Sequence, residues 1–343
     1  MFDHIIGNEQ LKQSLIRLRR EGRVPNSMLF VGPEGVGRRL FAIEMARSFV
    51  CRVSDVLPCG ECPACVRAGQ FVMPEPEDKD AYKKVIFSSH PDVGTVVGPK
   101  RFILVDAIRD LESEAHFRPY EGAGRTFIID NADKMNDAAS NALLKTLEEP
   151  APTTRIILIT SRPDSLLATI RSRCQTMRFS PVATRDIEHF LSEKHAFDRT
   201  EAELAARVSR GSVGRSLSID VTRFRARRER MLAVVTNAIE TGDRVALLRL
   251  AEELNDAKNK EYFEEELEIL ETLIHDVWSI GVRGPGEHTL NIDIEPRLVS
   301  LAGEARRDHL AMWLAAIQTL RDGFAVNINR KMATDALFVG IAS

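Results

Sequence analysis

Residues 27–39 read Ser27-Met28-Leu29-Phe30-Val31-Gly32-Pro33-Glu34-Gly35-Val36-Gly37-Arg38-Arg39. The run from Ser27 to Val31 is apolar and ends in a glycine-rich turn. A helical pattern follows, with Leu40, Phe41, Met45, Phe49 and Val50 near one face. Strand, glycine turn and helix are the context that a phosphate loop of the form G-x-x-x-x-G-K-[ST] requires. In such a loop backbone N–H groups cradle phosphate at a helix N-terminus. A chance glycine turn is the competing reading, and the flanking strand and helix speak against it.

The glycines keep that spacing at Gly32, Gly35 and Gly37, but the working side chains are missing. A hydrolysing loop needs a lysine for the β- and γ-phosphates and a hydroxyl for Mg²⁺. Arg38 and Arg39 stand there instead. A planar guanidinium does not replace a compact ammonium without rearrangement, and Arg39 has no oxygen to offer a metal. The apolar strand Phe127-Ile128-Ile129 ends in Asp130, a carboxylate suited to Mg²⁺. The next residue, where a water-activating glutamate would sit, is Asn131, and an amide cannot take up the proton. No productive ATP/Mg²⁺ site is expected.

Working outward, two more apolar runs, Thr126 to Ile129 and Arg155 to Thr160, flank a helix expected to start near Asn136 or Asp137. Leu143, Leu144 and Leu147 form its apolar stripe and Pro150 ends it. Apolar strands alternating with helices predict a parallel sheet covered on both faces. Residues 73–100 break the rhythm. Pro74, Pro76 and the acidic Glu75-Glu77-Asp78-Asp80 patch read as a solvated, mobile insertion, an ordinary surface loop. After Pro181 the pattern is helical only, with Phe263, Leu267, Leu270, Ile274 and Trp278 at three- and four-residue steps. The fold class is therefore an α/β P-loop module, then a small helical lid, then an all-α C-terminal region. The expected boundaries are 1–180, 181–220 and 221–343.

The 343 residues carry a formal net charge of −3, which gives no global reason to bind DNA. The basic run from Arg223 to Arg230 reads as a solvated helix face rather than a phosphate contact. No apolar run is long enough to cross a bilayer, and the polar start from Met1 to Leu11 gives no signal peptide. A cytoplasmic protein is expected.

Cys51, Cys59, Cys62 and Cys65 form C-x₇-C-x₂-C-x₂-C, with Pro58, Gly60 and Pro63 supplying tight turns. Four thiolates suffice for a closed tetrahedral structural zinc. An iron–sulfur site would put its fourth cysteine downstream, and a redox pair needs only two. A DNA-binding ribbon would want more basic and aromatic neighbours than Arg52 and Arg67. Cys174 stands apart and reads as a buried thiol.

The stretch Ile128-Ile129-Asp130-Asn131-Ala132-Asp133-Lys134-Met135, then Ser140-Asn141-Ala142-Leu143-Leu144-Lys145-Thr146-Leu147-Glu148-Glu149-Pro150, resembles the AAA+ clamp-loader family of bacterial DNA polymerase III. Ile159-Thr160, Pro163, Leu166-Leu167 and Thr169-Ile170-Arg171-Ser172-Arg173-Cys174 continue the likeness. It covers residues 1 to about 220, and the helical remainder more loosely. The resemblance implies an AAA+ module, a lid and an oligomerising collar. It also implies gamma/tau and delta clamp-loader subunits as partners, with the β sliding clamp and primer-template DNA. The implied role is a non-hydrolysing subunit of the replicative clamp loader. A slow, gamma/tau-like ATPase that uses Arg38 in place of lysine is the alternative, and a DNA-binding scaffold is a third. By the same resemblance Arg173 is an arginine finger acting in trans on a neighbour's ATP. Its competing reading is a surface ion pair. A four-cysteine zinc insertion also fits the family. Arg215 lies near the place of a nucleotide sensor and is expected to be structural only.

Overall fold

The computed structural model describes residues 1–54, 56–99, 102–256, 262–325 and 329–341. Backbone contacts divide the chain into two compact units, Met1–Ile187 with Gly211–Gly214, and Glu188–Arg210 with Arg215–Ser343.

The first unit contains α1 (Glu9–Arg20), β1 (Ser27–Val31), α2 (Arg38–Val50), α3 (Pro63–Ala68), β2 (Ile86–Phe87), β3 (Val93–Val96), α4 (Val105–Ala115), β4 (Arg125–Ile129), α5 (Asp137–Glu148), β5 (Thr154–Thr160), α6 (Ala168–Arg173) and β6 (Gln175–Arg178). The strands form one sheet in the order β2-β3-β4-β5-β1-β6. Every pairing is parallel except β2 with β3. Strand periodicity sends alternate residues to opposite faces. Leu29, Val31, Phe127, Ile129, Ile156 and Leu158 pack on one face under Ile108 and Leu111 of α4, Leu143 of α5 and Ile170 of α6. Met28, Phe30, Ile128, Ile157 and Ile159 pack on the other under Leu15 of α1 and Phe41 and Met45 of α2. Burial on both faces is why β1, β4 and β5 read as unbroken apolar runs. The expected parallel P-loop sheet and helical remainder are both present.

Two local readings need correction. Within 73–100, the acidic residues from Glu75 to Asp80 are exposed, as read, but β3 is a fully buried interior strand. It is only four residues long and contains Gly94, so no apolar alternation announced it. That glycine is required, since a Cβ there would lie 2.4 Å from Val85 Cγ1. Leu40 lies about half exposed rather than on the buried face of α2.

A buried charge network closes the end of the sheet beside β3. Asp92 accepts the backbone N–H groups of Tyr120, Glu121 and Gly122 at 2.7–2.8 Å. Arg125 is fully buried, 3.7 Å from Asp92 and 2.9 Å from Glu114, among the rings of Phe87, Tyr120 and Phe127. Arg125→Met leaves Asp92 buried without its cation. We expect it to lower unfolding free energy by about 3 kcal/mol, read as a lower urea midpoint at unchanged slope. A loss under about 1 kcal/mol would show the pair to be replaceable.

The second unit is helical among its described residues. The chain enters it through α7 (Thr184–Lys194). It continues as α8 (Arg199–Val208), α9 (Val213–Ser218), α10 (Val221–Glu240), α11 (Arg244–Asn255), α12 (Phe263–Arg283), α13 (Glu295–Glu304), α14 (Arg307–Ala325) and α15 (Arg330–Ile341). Phe263, Leu267, Leu270 and Ile274 are buried along α12, as their spacing predicts, while Trp278 at the same spacing is only partly buried. The basic run of α10 is not a solvated face. Arg228 is 2% exposed and grips both oxygens of Asp293 at 2.6 and 2.7 Å, while Arg227 and Arg230 pair with Glu265 and Glu266 of α12. Burial works against ionisation of Asp293, but Arg228 outweighs it and holds the carboxyl below its ordinary value. The acceptors lie more than 30 residues away in sequence, so the run alone could not reveal them.

Candidate functional site

The loop after β1 turns sharply because its glycines permit it. Gly35 and Gly37 have φ of 72° and 96°, and a Cβ on Gly32 would meet the Phe179 carbonyl oxygen at 2.6 Å. Gly37 then caps α2, with no side chain accepting from that helix's first amides and no acidic residue in its first turn. This is the backbone of a phosphate cradle.

Its side chains do something else. Arg39 Nη1 donates to Asp130 Oδ2 at 2.9 Å, and its guanidinium lies 5.5 Å from the centre of the Phe71 ring. The cation at the hydroxyl position therefore neutralises the carboxylate that would face Mg²⁺. Asp130 Oδ1 accepts the Asn131 N–H at 3.0 Å, and Asn131 itself adopts φ 52°. Arg38 is 7% exposed and its Nη1 is buried without a hydrogen-bond partner. Burial pushes its guanidinium below its ordinary value, opposed by the charges of Asp130, Glu34 and Asp133. Asp133 is itself engaged by the Thr160 hydroxyl at 2.7 Å and by Arg162 at 3.5 Å.

Gly32, Gly35, Gly37, Arg38, Arg39, Asp130 and Asn131 are thus gathered at one end of the sheet. The Gly214 N–H donates to the Gly35 carbonyl at 2.8 Å, so Gly214 rests against the loop. Arg215 pairs instead with Glu268 of α12. The Arg39–Asp130 pair escaped the sequence reading. An arginine in the hydroxyl position, with the strand-end aspartate retained, was the signal.

Arg173 ends α6. Its Nη1 donates to the Thr169 carbonyl at 2.9 Å, its Nη2 pairs with Glu148 at the end of α5, and its side chain is one-third exposed. Arg171 pairs with Asp164 at 2.6 Å. Burial pushes the Cys174 thiol up to about 12, so it stays protonated and inert.

The four cysteines converge. Cys51 follows α2, Cys62 precedes α3 and Cys65 lies within it, and their sulfurs, with that of Cys59, all fall within 4.8 Å of one another. Tetrahedral Zn–S bonds of about 2.3 Å would set sulfurs about 3.8 Å apart; Cys51 and Cys59 are 3.8 Å apart. Backbone N–H groups already point at sulfur, Cys59 toward Cys51 at 3.5 Å and Cys62 toward Cys59 at 3.3 Å. Burial opposes ionisation of Cys62, but amides of Arg52 and Cys65 prevail and bring it to about 6. This group can hold a metal ion. It is tied to the turn before β4 by Glu121, which takes Arg67 at 2.6 Å and Arg52 at 3.0 Å.

Among the described residues no helix is long and apolar enough to cross a membrane. Comparison with known proteins places these features. The chain is 34% identical over 172 residues to the DNA polymerase III subunit delta' of Bacillus subtilis (strain 168), spanning 50% of this chain and 47% of that protein. It is 26% identical over 336 residues to the delta' subunit of Escherichia coli (strain K12), spanning 96% and 92%. It is 29% identical over 226 residues to the E. coli tau subunit, of which it spans 32%. It thus covers about half of the first relative, a third of tau and nearly all of E. coli delta'. Residues 7–183, just over half of the 343, match the family described as DNA polymerase III, delta subunit, and the chain belongs to that family.

Proposed function

We propose that this chain is a non-hydrolysing, delta'-type subunit of the bacterial replicative clamp loader, the assembly that loads the β sliding clamp on primed DNA. Its partners in this reading are gamma/tau and delta subunits, with the clamp and primer-template DNA contacted in the complex, in the cytoplasm. The observation that carries the reading is the Arg39–Asp130 ion pair at 2.9 Å. A guanidinium already bound to the strand-end carboxylate competes with Mg²⁺ for that carboxylate, and Asn131 leaves water without a base. The chain then contributes structure and one reactive group, Arg173, reaching a neighbour's ATP in trans. The functional division follows 1–180 as AAA+ module, 181–220 as lid and 221–343 as collar. The cysteines hold a structural zinc.

The test is ATP turnover by the purified chain in Mg²⁺. We expect it to equal the buffer background, while a set reconstituted with gamma/tau and delta turns ATP over. Turnover by the lone chain that Asp130→Asn abolishes would instead establish the slow-ATPase reading.

A further inference from the structure

We propose that the free edge of β6 is a docking groove for an extended acidic segment of a partner protein, which adds to the sheet as a further strand.

β6 is the last strand of the sheet and pairs only with β1. Successive residues of a strand turn their N–H and C=O groups to opposite sides. The Phe179 N–H donates to the Val31 carbonyl at 2.7 Å, so Gln175 and Met177, of the same parity, also face β1. Thr176, Arg178 and, just past the strand, Ser180 face the open side. Ser180 is answered there by a side chain. Its N–H donates to Asn8 Oδ1 at 2.8 Å, and its carbonyl accepts from Asn8 Nδ2 at 3.1 Å. That carboxamide stands where the backbone of a neighbouring strand would stand, and it closes the edge at one end. Thr176 and Arg178 each keep an N–H and a carbonyl on the free side, the template on which strand addition builds.

Along that edge runs a groove of about 420 Å³, walled by Leu11, Ser14, Arg17 and Leu18 of α1 and by β6 itself. Leu11 and Leu18 are half-buried, so this wall offers apolar surface to every second side chain of an added strand. Met177 lies on the α1 side of the sheet, and Arg178, the next residue, projects from the other face. Cross-strand neighbours of opposite charge pair on such a face. The lining holds two arginines and no carboxylate. The acids of α1 and of the turn after it are taken, Glu9 by Lys12 at 2.5 Å and Glu21 by Arg23 at 3.4 Å. Among the described residues no carboxylate lies in ion-pairing range of Arg17 or Arg178. Pairing of this edge with that of a second copy brings arginines together, and opposed like charges are destabilising. The complement is a strand with carboxylates on the Arg178 face and apolar side chains toward α1.

The experiment is fluorescence anisotropy of a labelled peptide of about seven residues, alternating glutamate and valine, titrated with the full chain. A lysine–valine peptide is the control, and amide hydrogen exchange across residues 175–178 is followed in parallel. We expect the glutamate peptide to bind, to lose affinity as salt is added, and to slow exchange at Thr176 and Arg178. The lysine peptide should not bind. Arg178→Glu should weaken the glutamate peptide about tenfold and admit the lysine peptide. Thr176→Pro removes an N–H that β1 does not use, so the chain should keep its melting midpoint while binding is lost. Methylating either the glutamate or the valine nitrogens tests the same ladder from the peptide's side, without relying on the proline variant to fold. One series should lose binding and the other retain it. No binding by wild type, equal affinity for both peptides, binding that survives both methylations, or undiminished binding to a folded Thr176→Pro chain would overturn the proposal. Self-association of the chain that Thr176→Pro abolishes would name a second copy as the occupant and overturn it too.

Discussion

Arg173→Ala, carried in an otherwise wild-type reconstituted loader, should lower DNA- and clamp-stimulated ATP turnover by roughly 10³-fold, the loss expected of the proposed trans arginine finger. A guanidinium placed against a γ-phosphate spreads the charge that develops as the phosphoryl group leaves, and its removal costs rate rather than assembly. The position suits the task. Arg173 is the last residue of α6, short of full burial, and the elements behind it are packed through Ile170, which is completely buried. In the single chain the guanidinium is occupied by Glu148 and the Thr169 carbonyl. Reaching a neighbour therefore means exchanging Glu148 for phosphate, and a partly exposed pair is held weakly enough, at under about 1 kcal/mol, to allow it. Glu148→Gln makes the arginine freer, so turnover should hold or rise. The measurement is steady-state turnover with gel filtration to verify assembly. Intact assembly with unchanged turnover in Arg173→Ala would leave Arg173 as a tie between α5 and α6.

The second large effect concerns the metal. Cys65→Ser should reduce zinc from one equivalent per chain to near zero by elemental analysis. A strong chelator should do the same to wild type. The expected consequence is local: the segment from Cys51 to Ala68 loses its order while the sheet persists. The knuckle has little core of its own, with Cys62, Ala64 and Cys65 as its buried cluster, so in the proposed zinc reading the metal would supply most of its folding free energy, on the scale of about 10 kcal/mol for zinc peptides. Because thiolates bind metal and thiols do not, zinc affinity should fall as pH drops. Full zinc content in Cys65→Ser, or a wild-type chain that melts identically with and without chelator, would refute the structural-zinc assignment.

The legible part of this molecule was the part whose information is local. β1, its glycine turn and α2 lie within 24 consecutive residues, and each carries a periodicity or a turn requirement of its own. The start of α5 was equally plain, since Asn136 caps it by accepting the Ala139 N–H at 2.9 Å. The cysteine spacing gave the metal cluster because three of its ligands fall within seven residues. What stayed hidden was pairing over distance. Arg39 meets Asp130 across 91 residues, Arg173 meets Glu148 across 25, and Arg228 finds Asp293 across 65. Strand β3 was hidden differently: its burial comes from β4 and from Val85, not from its own four residues. β6 escaped because it is an edge strand with Gln175, Thr176 and Arg178 exposed, and only Met177 faces the core.

The Arg39–Asp130 pair also makes the start of α2 and the end of β4 one electrostatic unit. A hydroxyl side chain at position 39 alone would strip Asp130, half-buried at the strand end, of its counter-charge. The two side chains are therefore exchangeable only together, since a change at either one leaves an unanswered charge at the strand end.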